Sequence, residues 1–297
     1  MSYAFSPSLR EQHRPGIPVA SPVERTVWML WLQGFENAPD IVQVCLRSWK
    51  TRNPTWRVVE LNEENLSEYI DSASLATLKS LDIKPQKLAN LIRLYLISTH
   101  GGVWVDSTCF CCQPLDSWLP GYMESGFFAF RNPGPDRILA NWFLAASKGN
   151  ALASIFYERH RDFFRQNRFP LQHTQGGRDR VRKIGSLLNR NAKLAQLWAS
   201  PLLTKTVKAY PYYIFHYHFA RTVSENAVCR DIWNRTPPFS SDGPHRMDRA
   251  GILSPMTSQL MEDLVQLKQP LYKLRWKYPP GEFTSGCILD HIMRSLA

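Results

Sequence analysis

The chain has 297 residues, 44% of them hydrophobic, and a formal net charge of +11, which is enough apolar material for one large domain or two small ones. No apolar run approaches the roughly 18 residues that span a bilayer, and the polar, proline-rich start lacks the apolar centre of a signal peptide, so a cytoplasmic location is expected. Six cysteines in a chain of this size do not resemble the disulfide framework of a small secreted domain.

The basic charge lies in the second part of the chain. Residues 1–130 hold 11 Lys and Arg against 13 Asp and Glu, whereas residues 131–297 hold 25 against 12. A basic face attracts an anionic membrane, an acidic polymer or nucleic acid, and a solvated face without a dedicated partner explains it equally well. Because no helix-turn-helix, zinc-finger or RNA-recognition pattern is found, nucleic acid is not expected. A peripheral contact with the inner face of an anionic membrane stays open.

Strands and helices alternate in the first part of the chain. Residues 1–24 combine four prolines with no hydrophobic period, which predicts a flexible tail. The elements predicted next are a strand at 26–32, a helix that Pro39 opens and Asn53-Pro54 ends, a strand at 56–61, and a short helix at 64–70 capped by Asn62. This alternation predicts an α/β fold with a mainly parallel central sheet flanked by helices.

The stretch PQKLANLIRLYLISTHGGVWVDST presents one carboxylate. Apolar residues at helical spacing predict a buried helix from Pro85, and Gly101-Gly102 ends it because glycine readily takes the left-handed backbone conformation. Val103–Val105 then form a short buried strand, and Asp106 emerges at its end. Ligands bind at the carboxyl ends of such strands in α/β sheets, so Asp106 is the candidate centre of the chemistry.

The pattern becomes less regular after Asp116. The elements predicted there are a strand at 126–130, a helix at 138–146 after the turn NPGPD, a helix from Asn150 to Phe164, a surface loop or lid at 170–182, helices at 185–198 and 202–209, a strongly aromatic segment at 211–223, a loop at 236–244, and a helix that Ser254-Pro255 begins. We therefore expect a single domain at residues 25–297 with a helical C-terminal part.

Several segments carry a family resemblance, in order and with matching spacing. They are NPTWRVVELNEENLSEYI, the helix with Asn90 and Arg93 that leads into GGVWVDST, the segments FFAF and NWFLAASKGN, and the late segments YIFHYHF and LYKLRWK. With Trp31 on the first strand, they resemble the capsular polysaccharide synthesis glycosyltransferases over roughly residues 25–278. These are related to α-mannosyltransferases and sugar-transferring toxins, and the resemblance implies a nucleotide-sugar-binding fold of the GT-A type.

The resemblance implies an enzyme that moves a sugar from a nucleotide-sugar donor to a glycan or lipid-linked acceptor hydroxyl. Retention of configuration and a role in cell-surface polysaccharide or glycolipid synthesis are expected with it. Relatives hold Mn²⁺ or Mg²⁺ on an Asp-x-Asp motif to neutralise the diphosphate. Here the motif reads Asp106-Ser107-Thr108, so the metal ligands implied are Asp106, Thr108 and a late histidine, His216. The catalytic candidates are Asp106 and Arg93.

The remaining expectations concern the donor. Relatives commonly have an aspartate where Asn90 stands, and with Arg93 it contacts the sugar, while Trp31 is placed to stack on the base. The other donor contacts implied are Gly102, Asn141, Trp142, Lys273 and Lys277. Ordinary core and surface roles explain Trp31, Asn141 and Trp142 nearly as well, and Lys273 and Lys277, read as one helical turn apart, also fit a solvated basic face.

Two alternatives stay open, the choice of histidine and an inactive module, whereas a zinc site is not favoured. His218 could enter the site instead of His216, since residues two apart lie about 200° apart on a helix, and either histidine could belong to an aromatic core. Cys109, Cys111 and Cys112 lack the paired spacing of a zinc site. A catalytically inactive module that binds a nucleotide sugar or a glycan is the alternative function, motivated by the missing carboxylates at Asn90 and Thr108. Base, sugar, acceptor and oligomeric state are not predicted.

Overall fold

The structure is a computed structural model that describes residues 22–277 and 285–295. Its strands are β1 Thr26–Leu30, β2 Arg57–Leu61, β3 Gly102–Val105, β4 Cys109–Cys111, β5 Phe127–Gly134, β6 Arg137–Ala146 and β7 Leu271–Lys273. Its helices are α1 Asp40–Arg52, α2 Leu66–Tyr69, α3 Ser72–Lys79, α4 Pro85–Thr99, α5 Ala151–Gln166, α6 Gln175–Leu188, α7 Ala192–Ala195, α8 Pro201–Val207, α9 Ile214–Glu225, α10 Ala227–Arg235, α11 Arg246–Ala250, α12 Ser258–Val265 and α13 Ile288–Arg294. Most of the predicted tail, residues 1–21, lies outside the described residues.

The central sheet has the strand order β2-β1-β3-β6-β5. Strands β2, β1 and β3 are parallel, while β6 runs antiparallel to both β3 and β5. Four of the five strands therefore point in one direction, which confirms the mainly parallel α/β sheet. Because β6 is reversed, its second half pairs with β3 and its first half extends beyond the end of β3. The amide of Asp106 donates to the carbonyl of Trp142 at 2.8 Å.

Two hydrophobic layers cover the two faces of this sheet. Successive side chains of a strand point to opposite faces, so Trp28 packs under α4 and α5 while Val27 and Met29 pack under α1. The first layer continues into α9 and α10, and the second into a small sheet in which β4 pairs with β7. The sheet is thus buried on both sides and holds its strand ends in fixed positions.

The prediction of a helix at 138–146 is wrong, because this segment is strand β6. β6 lies between β3 and β5 and has helical layers on both faces, so its side chains are buried on both sides. Such a segment is apolar throughout, and its hydrophobic pattern does not separate a strand from a helix. The turn before it is the tip of a β5–β6 hairpin.

The surface loop predicted at 170–182 is also wrong, because most of it belongs to α6. Thr174 caps this helix by accepting a hydrogen bond from the amide of Gly177 at 3.0 Å, and Val181, Ile184 and Leu188 bury its apolar stripe. The diglycine at 176–177 and the arginines at 178, 180 and 182 conceal that period in the sequence.

Smaller differences concern helix ends. The helix predicted from Ser254 begins at Ser258, and Thr257 is its N-cap. The short helix α3 was not predicted, although Asp71 caps it by accepting a hydrogen bond from the Ser74 amide at 2.9 Å. The helices at 85–99 and after Asn150 are confirmed with their predicted first residues. Within the described residues, no helix is both long and apolar enough to cross a membrane.

Candidate functional site

A cleft of about 680 Å³ lies at the edge of the sheet where β1 and β3 end. The first half of α4, the start of β6, the start of α9, α11 and β7 border it. Its lining includes Trp31, Lys87, Asn90, Arg93, Trp104, Asp106, Thr108, Arg137, Asn141, Trp142, Tyr212, Tyr213, His216, His245, Asp248, Lys273 and Trp276. Most of the predicted site residues meet here, although they are spread over more than two hundred positions of sequence.

Asp106 is held in one orientation at the end of β3. Its Oδ1 accepts a hydrogen bond from Nε1 of Trp104 at 3.0 Å and lies 3.1 Å from Nη2 of Arg93. The side chain of Asp106 is 28% exposed, whereas that of Arg93 is 6% exposed. A carboxylate fixed from behind by two donors and open toward the cleft can accept hydrogen bonds from the hydroxyls of a ligand.

Arg93 connects three elements behind this carboxylate. Besides its ion pair with Asp106, it donates from Nη1 to the carbonyl of Asn141 on β6, and its guanidinium lies over the ring of Trp104 at 5.0 Å. Burial lowers the pKa of Arg93 and the charge of Asp106 raises it. An arginine side chain stays protonated in proteins, so Arg93 remains charged. Its guanidinium is already engaged with Asp106 and the Asn141 carbonyl, and it therefore holds Asp106 in position.

Two asparagines and two tryptophans border the neighbouring part of the cleft. Nδ2 of Asn141 lies 3.5 Å from Oδ1 of Asn90, so α4 and β6 bring these amides together. At the end of β1, the rings of Trp31 and Trp276 pack edge to face at 5.6 Å, and Trp276 remains 44% exposed. Trp142 is almost fully buried and stacks on Phe130 at 4.7 Å, so only its margin reaches the cleft.

Thr108 meets a lysine from the far end of the chain. Lys273, the last residue of β7, donates from Nζ to Oγ1 of Thr108 at 2.5 Å, and the amide of Leu274 donates to the Thr108 carbonyl at 2.9 Å. The reading of Lys273 and Lys277 as one helical turn is wrong, because β7 is extended up to Lys273. Lys273 lines the cleft, whereas Lys277 borders an adjoining hollow beside Trp276.

Further basic side chains make the cleft electropositive. Lys87 is 6% exposed and donates to the carbonyl of Tyr212, and Arg137 lies over the ring of Tyr213 at 3.9 Å. Burial, with the charge of Arg93, lowers the pKa of Lys87 to about 8. Sequence reasoning missed Lys87 and Arg137. Lys87 stands three residues before Asn90 on the buried helix, and that spacing was a usable signal, whereas Arg137 gave none.

The two histidines of α9 point in different directions, as their spacing predicts. His216 lines the cleft, and its Nδ1 is buried without a hydrogen-bond partner among the described residues. Burial lowers the pKa of His216 well below 6.5, and the charges of Arg137 and Lys87 lower it further. His218 instead packs against Phe163 at 4.3 Å in the aromatic layer behind the sheet. His216 is therefore the histidine that enters the site, in its neutral form.

Gly102 does not border the cleft. It lies at the opposite end of β3 from Asp106 with a φ of +89°, and a Cβ there would come within 2.5 Å of the carbonyl oxygen of Thr26. Glycine is therefore needed at this position because β3 approaches β1 closely. The expectation that Gly102 contacts the donor is wrong.

The predicted metal ligands do not fit a divalent cation. Mg²⁺ and Mn²⁺ need several oxygen ligands, mainly carboxylates. Here Asp106 is paired with Arg93 and Thr108 accepts from the Lys273 ammonium, while the other carboxylate of the cleft, Asp248, is bound by Arg275 at 2.5 and 2.9 Å. Among residues 22–277 and 285–295 no three His, Cys, Asp or Glu side chains group closely enough to hold a metal ion.

A comparison with protein-family models shows which family the chain belongs to, which the geometry of the cleft does not show by itself. The model described as capsular polysaccharide synthesis protein matches residues 9–173, more than half of the chain. The chain belongs to the capsular polysaccharide synthesis protein family. The matched segment contains α4, β3, Asp106 and β6, so the predicted family resemblance is confirmed for this part of the cleft.

Two fungal proteins are similar to this family member over 160 aligned residues. O-glycosyltransferase braB of Annulohypoxylon truncatum is 28% identical over 48% of this chain, and glycosyltransferase afumC of Aspergillus fumigatus is 29% identical over the same share. The alignments cover 37% and 41% of those proteins, so the chain spans about two fifths of the curated relatives it matches. The UDP-bound glycosyltransferase domain of the YGT toxin is similar in structure, with 10% identity, a TM-score of 0.39, and 92% and 93% of the two chains covered.

Proposed function

We propose that this protein is a glycosyltransferase that moves a sugar from a nucleotide-sugar donor to an acceptor hydroxyl. The observation that carries the proposal is one cleft in which an oriented carboxylate, Asp106, lies among basic side chains that include Lys273 and Arg137. A sugar needs oriented hydrogen-bond acceptors, and a diphosphate needs positive charge. The names of the two fungal relatives support the same activity.

The bond that breaks joins the anomeric carbon of the donor sugar to the oxygen of the β-phosphate. Its electron pair leaves with the nucleoside diphosphate, the acceptor oxygen bonds to the anomeric carbon, and the acceptor proton passes to the departing phosphate oxygen. Lys273 and Arg137 stabilise the charge that develops on the diphosphate, and fixed charges of this kind are a large part of catalysis. The acceptor oxygen bonds on the same face of the sugar from which the diphosphate leaves. The anomeric configuration is therefore retained in the proposed reaction.

Other cleft residues bind the rest of the donor. Asp106 accepts hydrogen bonds from donor hydroxyls and is kept in place by Arg93, while the amides of Asn90 and Asn141 contact the sugar. Trp31, which packs edge to face with Trp276, offers a flat apolar surface for the base. Neutral His216 adds one more hydrogen-bonding group, since its Nδ1 has no partner within the described part of the chain.

In the proposed enzyme, the basic side chains neutralise the diphosphate, the task that the family resemblance assigns to a divalent cation. The Lys273 ammonium lies on the hydroxyl of Thr108, the residue that replaces the second carboxylate of the metal motif. A lysine in that position can neutralise phosphate directly as a point charge. The proposed transfer therefore relies on Lys273 and Arg137 and not on Mn²⁺ or Mg²⁺.

The acceptor is proposed as a glycan or a lipid-linked saccharide in cell-surface polysaccharide or glycolipid synthesis. Membership of the capsular polysaccharide synthesis protein family supports it. The second candidate function is a catalytically inactive module that binds a nucleotide sugar or a glycan. The ion pair between Asp106 and Arg93 favours this second function. A carboxylate engaged in that pair can still bind hydroxyl groups, and binding is all that such a module requires of it.

Asp106→Asn tests the activity. The substitution keeps the shape of the side chain but weakens both the pairing with Arg93 and the acceptor strength, so donor hydrolysis and transfer should fall at least about 100-fold. A panel of nucleotide sugars is assayed with the wild type, this variant and the control Asp40→Asn, an exposed carboxylate on α1. The variant's circular dichroism verifies its fold. Full activity in Asp106→Asn would refute the proposal, and a wild type that binds a donor without turnover would establish the inactive module.

A further inference from the structure

A strongly basic surface lies on the helices between α5 and α9, outside the cleft. We call residues 168–208 the basic segment. It contains nine Lys and Arg residues and one acidic residue, Asp179, so it holds a net charge of +8 out of +11 for the whole chain. Its basic residues, all of them exposed, are Arg168, Arg178, Arg180, Arg182, Lys183, Arg190, Lys193, Lys205 and Lys208.

The basic segment is a packed part of the structure, in which α6 lies against both α7 and α8. Arg180, Lys183 and Leu187 are spaced by three and four residues and therefore share one face of α6. At this face Nη1 of Arg180 donates to the carbonyl of Thr206 on α8 at 3.4 Å, and Lys205 stands next to that residue. The charged faces of α6 and α8 are thus joined into one surface.

Leucine side chains are exposed on the same segment. Leu187 is 56% exposed, Leu197 46% and Leu202 72%. Leu202 lies one helical turn before Thr206 on α8, and its backbone carbonyl accepts from Oγ1 of Thr206 at 2.8 Å. Leucine gains free energy only when it leaves water, so apolar side chains set among exposed lysines and arginines indicate a partner that is both anionic and apolar at its surface.

We propose that the basic segment docks on an anionic lipid bilayer. The lysines and arginines match the negative headgroups, and the leucines insert at the level where the acyl chains begin, as on amphipathic helices that lie in a membrane interface. A nucleic acid would also match the charge, but it would leave the three leucines in water.

Docking in this way brings the cleft close to the bilayer. The amide of Ala192 on α7 donates to the carbonyl of Pro135 at the tip of the β5–β6 hairpin, at 3.1 Å. The same hairpin carries Pro133 and Arg137, which line the cleft. A lipid-borne acceptor would therefore meet the cleft at this hairpin. This consequence rests on the proposed function, whereas the docking itself does not.

Co-sedimentation with vesicles tests the docking. Vesicles of phosphatidylcholine alone and with about a third of phosphatidylglycerol are compared at low salt and at about 0.5 M salt. The charge variant replaces Lys183, Arg190 and Lys193 by Gln, and the leucine variant replaces Leu187 and Leu202 by Gln. The matched control replaces Arg47, Lys79 and Lys148 by Gln, three exposed basic residues elsewhere on the molecule.

The wild type and the control should bind only the anionic vesicles, and more weakly at high salt. The charge variant should lose about 100-fold in affinity, since each basic side chain near an anionic surface contributes roughly a fivefold factor, and the leucine variant should lose the binding that persists in salt. Equal binding to neutral vesicles, wild-type binding by the charge variant, or displacement of the vesicles by duplex RNA or DNA would overturn the proposal.

Hydrolysis of a soluble donor is measured in the same preparations. It should be unchanged in the charge variant, because none of the three residues borders the cleft. If the wild type binds vesicles but turns over no donor, the glycosyltransferase proposal fails while the docking stands. If donor is turned over but vesicles are not bound, the docking fails alone.

Discussion

In the proposed enzyme, the pair Thr108 and Lys273 decides how the cleft neutralises the donor diphosphate. A second aspartate in place of Thr108 would favour a divalent cation, whereas the hydroxyl present here accepts a hydrogen bond from an ammonium group at 2.5 Å. Because the Lys273 ammonium belongs to the chain, it supplies positive charge to the cleft without a bound metal ion. Lys87 and Arg137 add positive charge to the same cleft; burial lowers the pKa of His216, and the charges of Arg137 and Lys87 lower it further.

Lys273→Met should therefore weaken the binding of UDP and GDP at least about tenfold, since it removes a charge-assisted contact worth roughly 1.5–3 kcal/mol. The matched control is Lys277→Met, which changes the other lysine expected to bind the donor. Lys277 lies outside the cleft, so this variant should bind UDP and GDP like the wild type. Isothermal titration calorimetry is run with EDTA and with Mn²⁺. Binding that requires Mn²⁺ and is the same in Lys273→Met would show that the lysine does not replace a metal.

At the scale of elements, α9 joins the cleft to the aromatic layer behind the sheet. His216 faces the cleft, while His218 packs 5.1 Å from His160 of α5, ring centroid to ring centroid. His160 is fully buried, and neither of its ring nitrogens has a partner among the described residues. Burial lowers the pKa of His218 to about 3, and burial with the charge of His218 lowers that of His160 well below 6.5.

Acid should destabilise this layer. The unfolded chain binds protons to these histidines below about pH 6.5 and the folded chain does not, so stability is complete above that pH and falls as the pH decreases toward about 3. Each buried histidine contributes up to about 1.4 kcal/mol per pH unit to this loss.

Urea unfolding at pH 7 and pH 5 measures the effect. His160→Leu should reduce the difference between the two stabilities by about 2 kcal/mol, whereas His173→Leu, which changes an exposed histidine, should leave it unchanged. An unaltered difference in His160→Leu would mean that another group causes the acid sensitivity.

At the scale of the whole molecule, the cleft depends on both parts of the chain. The family match ends at residue 173, but α9, α11 and β7 lie beyond it and supply His216, Asp248 and Lys273. The same late elements complete both hydrophobic layers, since α9 packs on α5 and β7 pairs with β4.

A fragment of residues 1–173 should therefore lose its cooperative unfolding as well as the site. Without α9 and β7, the apolar faces of α5 and β4 are open to water, so the fragment should bind a hydrophobic dye and lack a near-ultraviolet circular dichroism signal. Its affinity for UDP is compared with that of the full chain. A fragment that melts cooperatively and binds UDP like the full chain would show that the late elements are dispensable.

Local signals in the sequence determined the first part of the site. The family resemblance assigned Asn90 and Arg93 of α4 to the donor, whereas the apolar period and Pro85 defined that helix, the two glycines ended it, and the short strand after them placed Asp106 at the sheet edge. These features were predictable because helix periods, caps and glycine turns act over a few residues. Asn150 as the cap of α5 was predictable for the same reason.

Contacts between distant segments decided the rest. β6 looked like a helix because a strand buried on both faces has no amphipathic period, and only its place between β3 and β5 makes it a strand. Lys273 reaches Thr108 across 165 positions, and Arg137 enters the cleft through a hairpin. The sequence alone determined which carboxylate emerges from the sheet; the tertiary structure decided which charges surround it, because those charges are brought together by packing and not by spacing along the chain.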